Sequence, residues 1–317
     1  MLVMPVVARS DAVIAMRRGR EIMTFAVAVI VVGVILAGCV SQENSSGHPG
    51  NLPSAANSAL PSRNHSISHI LITQDAVDVL AANGATSAAF VRSLNQPGTF
   101  EIIPADRKET DLLPSATHVE SFKSYQAIRQ AFASGTMLPG VRIIQYDDEH
   151  WRGTPLTEQQ HPFIYVRLAE ELVHEHSLLF MNTPGADLEQ LLDPEAGNQY
   201  DAYLQEHLAT LAKYADLFEI QAQNAKSVGQ YVNFATQAIQ QAKEANKSAI
   251  VLLGITAKSN GPSSSDLINE IEETVGKSDG YWFNIPSTSH GSLSGISAAL
   301  PVVQNLARLL SQDYIRR

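Results

Sequence analysis

The chain has 317 residues and carries 22 lysines and arginines against 32 aspartates and glutamates, a formal net charge of −10 at pH 7. This acidic balance argues against a nucleic-acid-binding protein, because contact with a phosphate backbone needs clustered lysines and arginines. Neither Gly-x-Gly-x-x-Gly nor Gly-x-x-x-x-Gly-Lys-Ser/Thr occurs, so we expect no nucleotide cofactor.

The first 38 residues have the organisation of a secretory signal. A basic stretch at residues 17–20 precedes an apolar run at 23–35, which leads into Leu36-Ala37-Gly38-Cys39. A charged start, an apolar middle and small residues before a break are typical of a cleaved signal peptide. Cysteine directly after Leu-Ala-Gly resembles the signal of bacterial lipoproteins, in which the thiol takes a diacylglycerol and becomes the new N-terminus. The resemblance implies acylation of Cys39 and an extracytoplasmic protein anchored to the membrane by this lipid.

A single membrane-spanning helix is the alternative interpretation of the apolar run. The run is shorter than the roughly 18 to 20 residues that a spanning helix needs. Its small-residue ending also fits cleavage better than it fits a permanent anchor. Cys39 is the only cysteine, so it cannot form an intramolecular disulfide. We therefore favour the signal peptide.

The segment after the signal is polar. Residues 40–66 are rich in Ser, Asn, Gly and Pro and have almost no large apolar side chains. Such a segment cannot bury enough apolar surface to offset the entropy that it would lose on ordering. We expect a signal peptide at 1–38, a lipidated cysteine and disordered tether at 39–67, and a single folded domain at 68–317.

From residue 69 onward, short apolar runs alternate with longer amphipathic segments. The clear predicted strands are 69–73, 141–146, 178–182, 217–222, 249–255 and 280–285. The predicted helices are 121–133, 163–176, 203–214, 231–245, 265–275 and 300–310. Strands and helices that alternate at this spacing build βαβ units and a parallel sheet.

Two further segments, 88–94 and 99–103, could each be a strand, which gives seven or eight strands in all. A closed (β/α)8 barrel of the TIM type needs eight strands and about 250 residues. The alternative is an open doubly wound α/β sheet, whose buried strands are nearly all apolar. Here Glu219, Gln221 and Gln223 alternate with apolar residues along one predicted strand. This alternation favours the barrel, because its inner face becomes a polar site at one end.

Residues 145–151, Gln-Tyr-Asp-Asp-Glu-His-Trp, lie where a predicted strand ends and a loop begins. In a TIM-type barrel the functional site lies at these strand ends. Asp147 and Glu149 are two positions apart, so in an extended segment they point toward the same side, near Trp151. Glycoside hydrolysis uses paired carboxyl groups, one of which protonates the leaving oxygen. A neighbouring carboxylate also raises the pKa of that acid.

The spacing Gln145-x-Asp147-x-Glu149 resembles the Asp-x-Asp-x-Glu ending of the chitinase-like barrel glycosidases, with glutamine in place of the first acid. The resemblance implies that Glu149 is the proton donor and that Asp147 assists it. Asp148 is a further candidate for this assisting role. The alternative is structural: the acids cap the following loop or pair with an arginine such as Arg152.

Polar and aromatic residues follow or end other predicted strands. Amides hydrogen-bond to sugar hydroxyls, and indole rings stack on sugar faces. We predict that the substrate contacts are made by Trp151, Asn182, Gln221, Gln223, Trp282 and Asn284.

The histidines of His174-Glu175-His176 do not predict a metal site, because on a helix they point about 200° apart. A serine hydrolase is not favoured either, since Gly-x-Ser-x-Gly is absent. The sequence thus predicts a membrane-anchored lipoprotein whose barrel hydrolyses or binds a glycan without a cofactor or metal. The alternative is a non-catalytic, lipid-anchored protein that binds a solute or a glycan.

Overall fold

Eight parallel strands close a barrel in chain order in the computed structural model, which describes residues 67–103, 112–192, 195, 197–286 and 295–314. Each strand pairs with the next, and the last pairs with the first, as Ile70 opposite Tyr281 shows. This is the predicted (β/α)8 TIM-type barrel, and the open doubly wound alternative is wrong. The strands are β1 (His69–Thr73), β2 (Thr99–Ile103), β3 (Thr117–Phe122), β4 (Ile143–Tyr146), β5 (Leu179–Asn182), β6 (Leu217–Ile220), β7 (Ile250–Thr256) and β8 (Gly280–Asn284).

The helices connect the strands, and several begin at a side-chain cap. Ser124 and Ser227 each accept a hydrogen bond from a first-turn amide, and Ser263 forms a capping box with Asp266. Such caps satisfy amides that have no partner within the helix. The helices are α1 (Gln74–Ala82), α2 (Ala85–Ser93), α3 (Tyr125–Ser134), α4 (Leu156–Gln160), α5 (Pro162–Glu175), α6 (Glu189–Leu192), α7 (Gln199–Gln205), α8 (Val228–Ala245), α9 (Ser264–Thr274) and α10 (Ile296–Tyr314).

The apolar core has two parts, because successive side chains of a strand point to opposite faces. One part fills the barrel and includes Leu71, Val119, Ile143, Met181 and Leu252. The larger part lies between the outer face of the strands and the helices. The filled interior makes the barrel a packed core rather than a pore, and leaves the strand ends to form the site.

The polar strand β3 was not predicted. The expected strand at 88–94 lies instead in α2, and the strand beside β2 is Thr117–Phe122. Its alternating polar residues, His118 and Glu120, are buried on the outer face. His118 lies 3.7 Å from the Glu101 carboxylate, and Glu120 accepts a hydrogen bond from the Leu138 amide. The buried polar side chains of β3 are therefore stabilised by partners from other elements. The low apolar content of this segment does not indicate a strand.

The predicted helix at 203–214 is also divided. It comprises the end of α7 and a 3-10 helix, Leu208–Tyr214. Between them His207 has φ of 58°, which an α-helix cannot contain. The predicted signal, Cys39 and the tether up to residue 66 lie outside the described residues. No helix in the described ranges combines the length and apolarity required for a membrane crossing.

Candidate active site

Glu149, after β4, and the amides after β6 meet at the C-terminal mouth of the barrel. Gln221 Nε2 donates a 2.8 Å hydrogen bond to Glu149 Oε1. Both residues line a cavity of about 240 Å³. Other residues lining it include Asp187, Gln223, Lys258, Trp282 and Asn284. Four of the six predicted substrate contacts therefore share one cavity with the predicted acid, although their roles stay predictions.

The loop after β5 approaches Glu149 closely and helps to position it. Gly185 follows β5, and its amide donates a 2.8 Å hydrogen bond to the Asp148 carbonyl. A Cβ atom at residue 185 would lie 2.9 Å from Glu149 Cγ, which is too close for a real contact. The loop after β5 can therefore pack against Glu149 only because residue 185 is glycine. Asp187, just beyond, accepts a 3.0 Å hydrogen bond from the His150 amide.

Asp147 lies beside Glu149 and does not line the cavity. Its Oδ1 accepts a 3.0 Å hydrogen bond from Thr183 Oγ1, which in turn accepts one of 3.1 Å from Gln145 Nε2. Burial and the charge of Glu149 raise the pKa of Asp147 to about 7, against the opposing effect of the Thr183 hydrogen bond. The carboxyl of Asp147 can therefore carry a proton near neutral pH.

The pKa of Glu149 is raised as well. Burial raises its pKa, and the negative charge of Asp187 acts in the same direction. The hydrogen bond from Gln221 and the positive charge of Lys123 oppose this rise, because both favour the ionised form. A carboxyl group that protonates more readily than usual, on a cavity wall, has the properties of a general acid.

Asp148 and Asn182 are not part of the cavity wall, contrary to their predicted roles. Alternation along the extended segment turns Asp148 away from the side of Asp147 and Glu149. Its side chain is buried, and Asn182 Nδ2 donates a 2.7 Å hydrogen bond to its Oδ1. Asn182 is fully buried and also donates to the Tyr146 carbonyl at 3.3 Å. The pair joins β4 to β5 and is structural.

Trp151 does not line the mouth cavity, although we predicted it as a sugar platform. Its indole Nε1 donates a 2.8 Å hydrogen bond to Thr154 Oγ1. Lys123 Nζ lies 4.2 Å from the centre of its ring, in a cation–π contact. Trp151 thus supports Lys123, a residue that the sequence analysis missed because the strand before it was not recognised.

Near the mouth, some polar atoms inside the barrel have no hydrogen-bond partner among the described residues. Both carboxylate oxygens of Glu219 and the indole Nε1 of Trp282 have no hydrogen-bond partner among the described residues. Glu219 is fully buried, and Trp282, at the cavity, is 9% exposed. Burial raises the pKa of Glu219 well above its usual range, and the charges of Asp147 and Glu149 add to this effect.

No metal centre is indicated in the ranges that the structure describes, since no three His, Cys, Asp or Glu side chains there are placed to hold an ion. His174 is instead in contact with two acids, Glu170 and Asp216, each at 2.8 Å. His176 stacks on Phe132.

The barrel is similar to solved structures of low sequence identity. The catalytic domain of a family GH18 chitinase from the fern Peteris ryukyuensis is 14% identical, with 73% of this chain and 80% of that chain covered and a TM-score of 0.42. The HMG-CoA lyase from Brucella melitensis is 6% identical (79% and 99% covered, TM-score 0.43). A Rhizomucor miehei β-1,3-glucanosyltransferase is 9% identical (72% and 92% covered, TM-score 0.38).

No family model and no curated protein matches the sequence. The three solved structures differ in their reactions, so their similarity to this chain concerns the fold alone.

Proposed function

We propose that this protein hydrolyses a glycan at the mouth of the barrel, with Glu149 as the general acid. The observation that carries the proposal is the carboxyl of Glu149 on the wall of a small polar cavity, oriented by Gln221 at 2.8 Å. Burial raises the pKa of this carboxyl, so it holds a proton up to a higher pH than an exposed glutamate does. A positioned carboxylic acid is the group that glycosidic bond cleavage requires.

In the proposed reaction, protonated Glu149 donates its proton to the glycosidic oxygen as the bond to the anomeric carbon breaks. Water adds to that carbon, and the carboxylate of Glu149 recovers a proton from it. Asp187 places a second carboxylate on the cavity wall, where it stabilises the positive charge that develops on the sugar ring. Asp147 assists as a second carboxyl that can carry a proton beside Glu149, because burial and the charge of Glu149 raise the pKa of Asp147 to about 7.

The sugar itself is bound by the remaining wall of the cavity. Trp282 provides an aromatic surface. Gln223 and Asn284 provide amide groups that can donate to and accept from hydroxyls. This set suits a neutral, hydroxyl-rich ring better than it suits an apolar ligand.

The proposal includes attachment to a membrane through Cys39. Its support is the sequence Leu36-Ala37-Gly38-Cys39 after an apolar run. Two or more acyl chains hold a protein stably at a bilayer, because each buried CH₂ contributes about 0.8 kcal/mol. Expression with an alkyne-labelled fatty acid tests this: the parent protein becomes labelled, and Cys39→Ser loses both the label and membrane association. Equal labelling of Cys39→Ser contradicts the anchor.

A panel of oligosaccharides tests the hydrolysis. We expect the parent protein to cleave at least one, and Glu149→Gln to reduce kcat by about 10²–10⁴-fold while it keeps the substrate affinity. Glu171→Gln, on the exposed side of α5, is the matched control and keeps full activity. Binding of a glycan by the parent protein without turnover contradicts the enzyme and supports the alternative, a non-catalytic binding protein.

A further inference from the structure

A second and larger cavity opens beside the mouth. It measures about 660 Å³ and lies between the segment that links β6 to α8 and the segment that links β7 to α9. Gln223, Asn224 and Lys258 line both this cavity and the mouth cavity. A ligand whose sugar ring occupies the mouth can therefore extend past these three residues into the second cavity.

The second cavity carries positive charge from two lysines. Lys226 and Lys258 both line it. Lys258 Nζ donates a 3.2 Å hydrogen bond to Asn224 Oδ1, which is a neutral acceptor. Neither lysine is in an ion pair within the ranges that the structure describes. Because α8 begins at Val228, the positive end of its helix dipole adds to the attraction for an anion here.

The two acids of the same wall offset this attraction only in part. Asp266 is engaged in the capping box, where its Oδ2 accepts hydrogen bonds from the amide and hydroxyl of Ser263 at 3.2 and 2.7 Å. Glu270 is buried, and burial together with the charge of Asp266 raises its pKa to about 7. Glu270 is thus partly neutral near pH 7 and can accept a hydrogen bond from a hydroxyl or amide of the same ligand.

The second cavity differs from the mouth in the groups that it offers. None of its described lining residues is aromatic, whereas the mouth contains Trp282. A surface without an aromatic ring offers no platform for a sugar face. The chemistry therefore favours a polar, charged substituent over a further unmodified sugar.

We propose that the second cavity binds a carboxylate carried by the glycan, with Lys226 and Lys258 as its recognition residues. This inference rests on the proposed function and specifies its substrate class as acidic glycans. Two sources supply this chemistry, a uronic acid ring and a carboxyl-bearing ether or peptide substituent on an amino sugar. Lys226 is the residue to test, because it lines the second cavity and not the mouth.

Calorimetry on the full chain tests the inference with three tetrasaccharide probes. One is neutral and built of N-acetylglucosamine, one carries lactyl carboxylates on the same backbone, and one is built of galacturonic acid. We expect Lys226→Met to weaken binding of one or both acidic probes about tenfold and to change the neutral probe less than twofold. The acidic probe that responds identifies the carboxylate source. The matched control is Lys247→Met, an exposed lysine in the loop after α8, which leaves all three affinities unchanged.

Equal effects of Lys226→Met on acidic and neutral probes, or failure of all three to bind, overturn the inference. Hydrolysis is measured in a separate experiment on protein that retains Glu149. The hydrolase and the carboxylate site can therefore be contradicted independently. Lys226-dependent binding without cleavage of any glycan supports the carboxylate site and contradicts the hydrolase. Cleavage of the neutral probe with no preference for acidic probes contradicts the carboxylate site alone.

Discussion

Gln221 Nε2 and Glu149 Oε1 are joined by a 2.8 Å hydrogen bond between residues that are 72 positions apart in the chain. The same Nε2 donates to the Thr183 carbonyl at 3.1 Å, so one amide links the loops after β4, β5 and β6. The bond orients Glu149 on the cavity wall and stabilises its ionised form. Burial acts in the opposite direction, and the balance sets the proton affinity of the proposed acid.

Replacement of Gln221 by methionine tests this balance. Without the donor, the pKa of Glu149 rises further, because a hydrogen bond to the ionised form is lost. The limb of the kcat/KM profile on which the acid loses its proton therefore moves to higher pH. We also expect kcat to fall about tenfold, since the carboxyl is less well oriented. The control is Gln240→Met on the exposed face of α8; an unmoved pH profile in Gln221→Met contradicts the assignment.

Thr183→Val removes the hydroxyl between Asp147 and Gln145 with little change in volume. We expect the pKa of Asp147 to rise above its value of about 7, because the donor to its ionised form is gone. We also expect the free energy of unfolding to fall by about 1–3 kcal/mol, because buried Gln145 loses its acceptor. Carboxyl NMR titration and chemical denaturation measure the two effects. Thr183→Ser keeps the hydroxyl and is the control; a pKa that moves equally in both variants argues against the hydrogen bond.

Glu219→Gln tests the cost of a carboxylate that is buried without a partner among the described residues. In the folded protein the pKa of Glu219 lies well above the usual 4.5, so the folded state binds a proton that the unfolded state releases as the pH rises. Between pH 4.5 and the pKa of Glu219 in the folded protein, the stability of the wild type therefore falls, relative to that of the variant, as the pH rises. At pH 8 we expect the variant to be more stable by about 1–3 kcal/mol. Chemical denaturation at pH 4 and pH 8 measures the difference, and an equal difference at both values contradicts the buried charge.

Substitution of two asparagines at strand ends distinguishes a structural role from a binding role. Asn182→Ala leaves buried Asp148 and the Tyr146 carbonyl without their donor, so we expect a loss of about 1–3 kcal/mol in unfolding free energy and an unchanged KM. Asn284→Ala removes a half-buried amide from the cavity wall, so we expect weaker glycan binding and little loss of stability. Thermal denaturation and calorimetry on both variants measure these effects. The reverse pattern would place Asn182 in the binding site.

The sequence predicted the barrel well because its apolar runs and amphipathic helices follow the periods of their elements. Prediction failed at β3, whose buried His118 and Glu120 depend on partners from other elements. Lys123 was missed for the same reason. At the site, the spacing of Asp147 and Glu149 was sufficient to predict that the two side chains point to the same side, since residues two apart on an extended segment lie on one face.

By itself the sequence determined the alternation of strands and helices, the acidic charge and the pair of carboxyl groups at the end of β4. Only the tertiary structure decided which polar residues share the cavity. It placed Gln221 and Trp282 at the mouth, buried Asp148 against Asn182 and covered Trp151 with Lys123. The physical reason is that barrel closure brings distant strand ends within hydrogen-bonding distance. Neighbours in space, rather than neighbours in the chain, then set the burial and charge of each side chain.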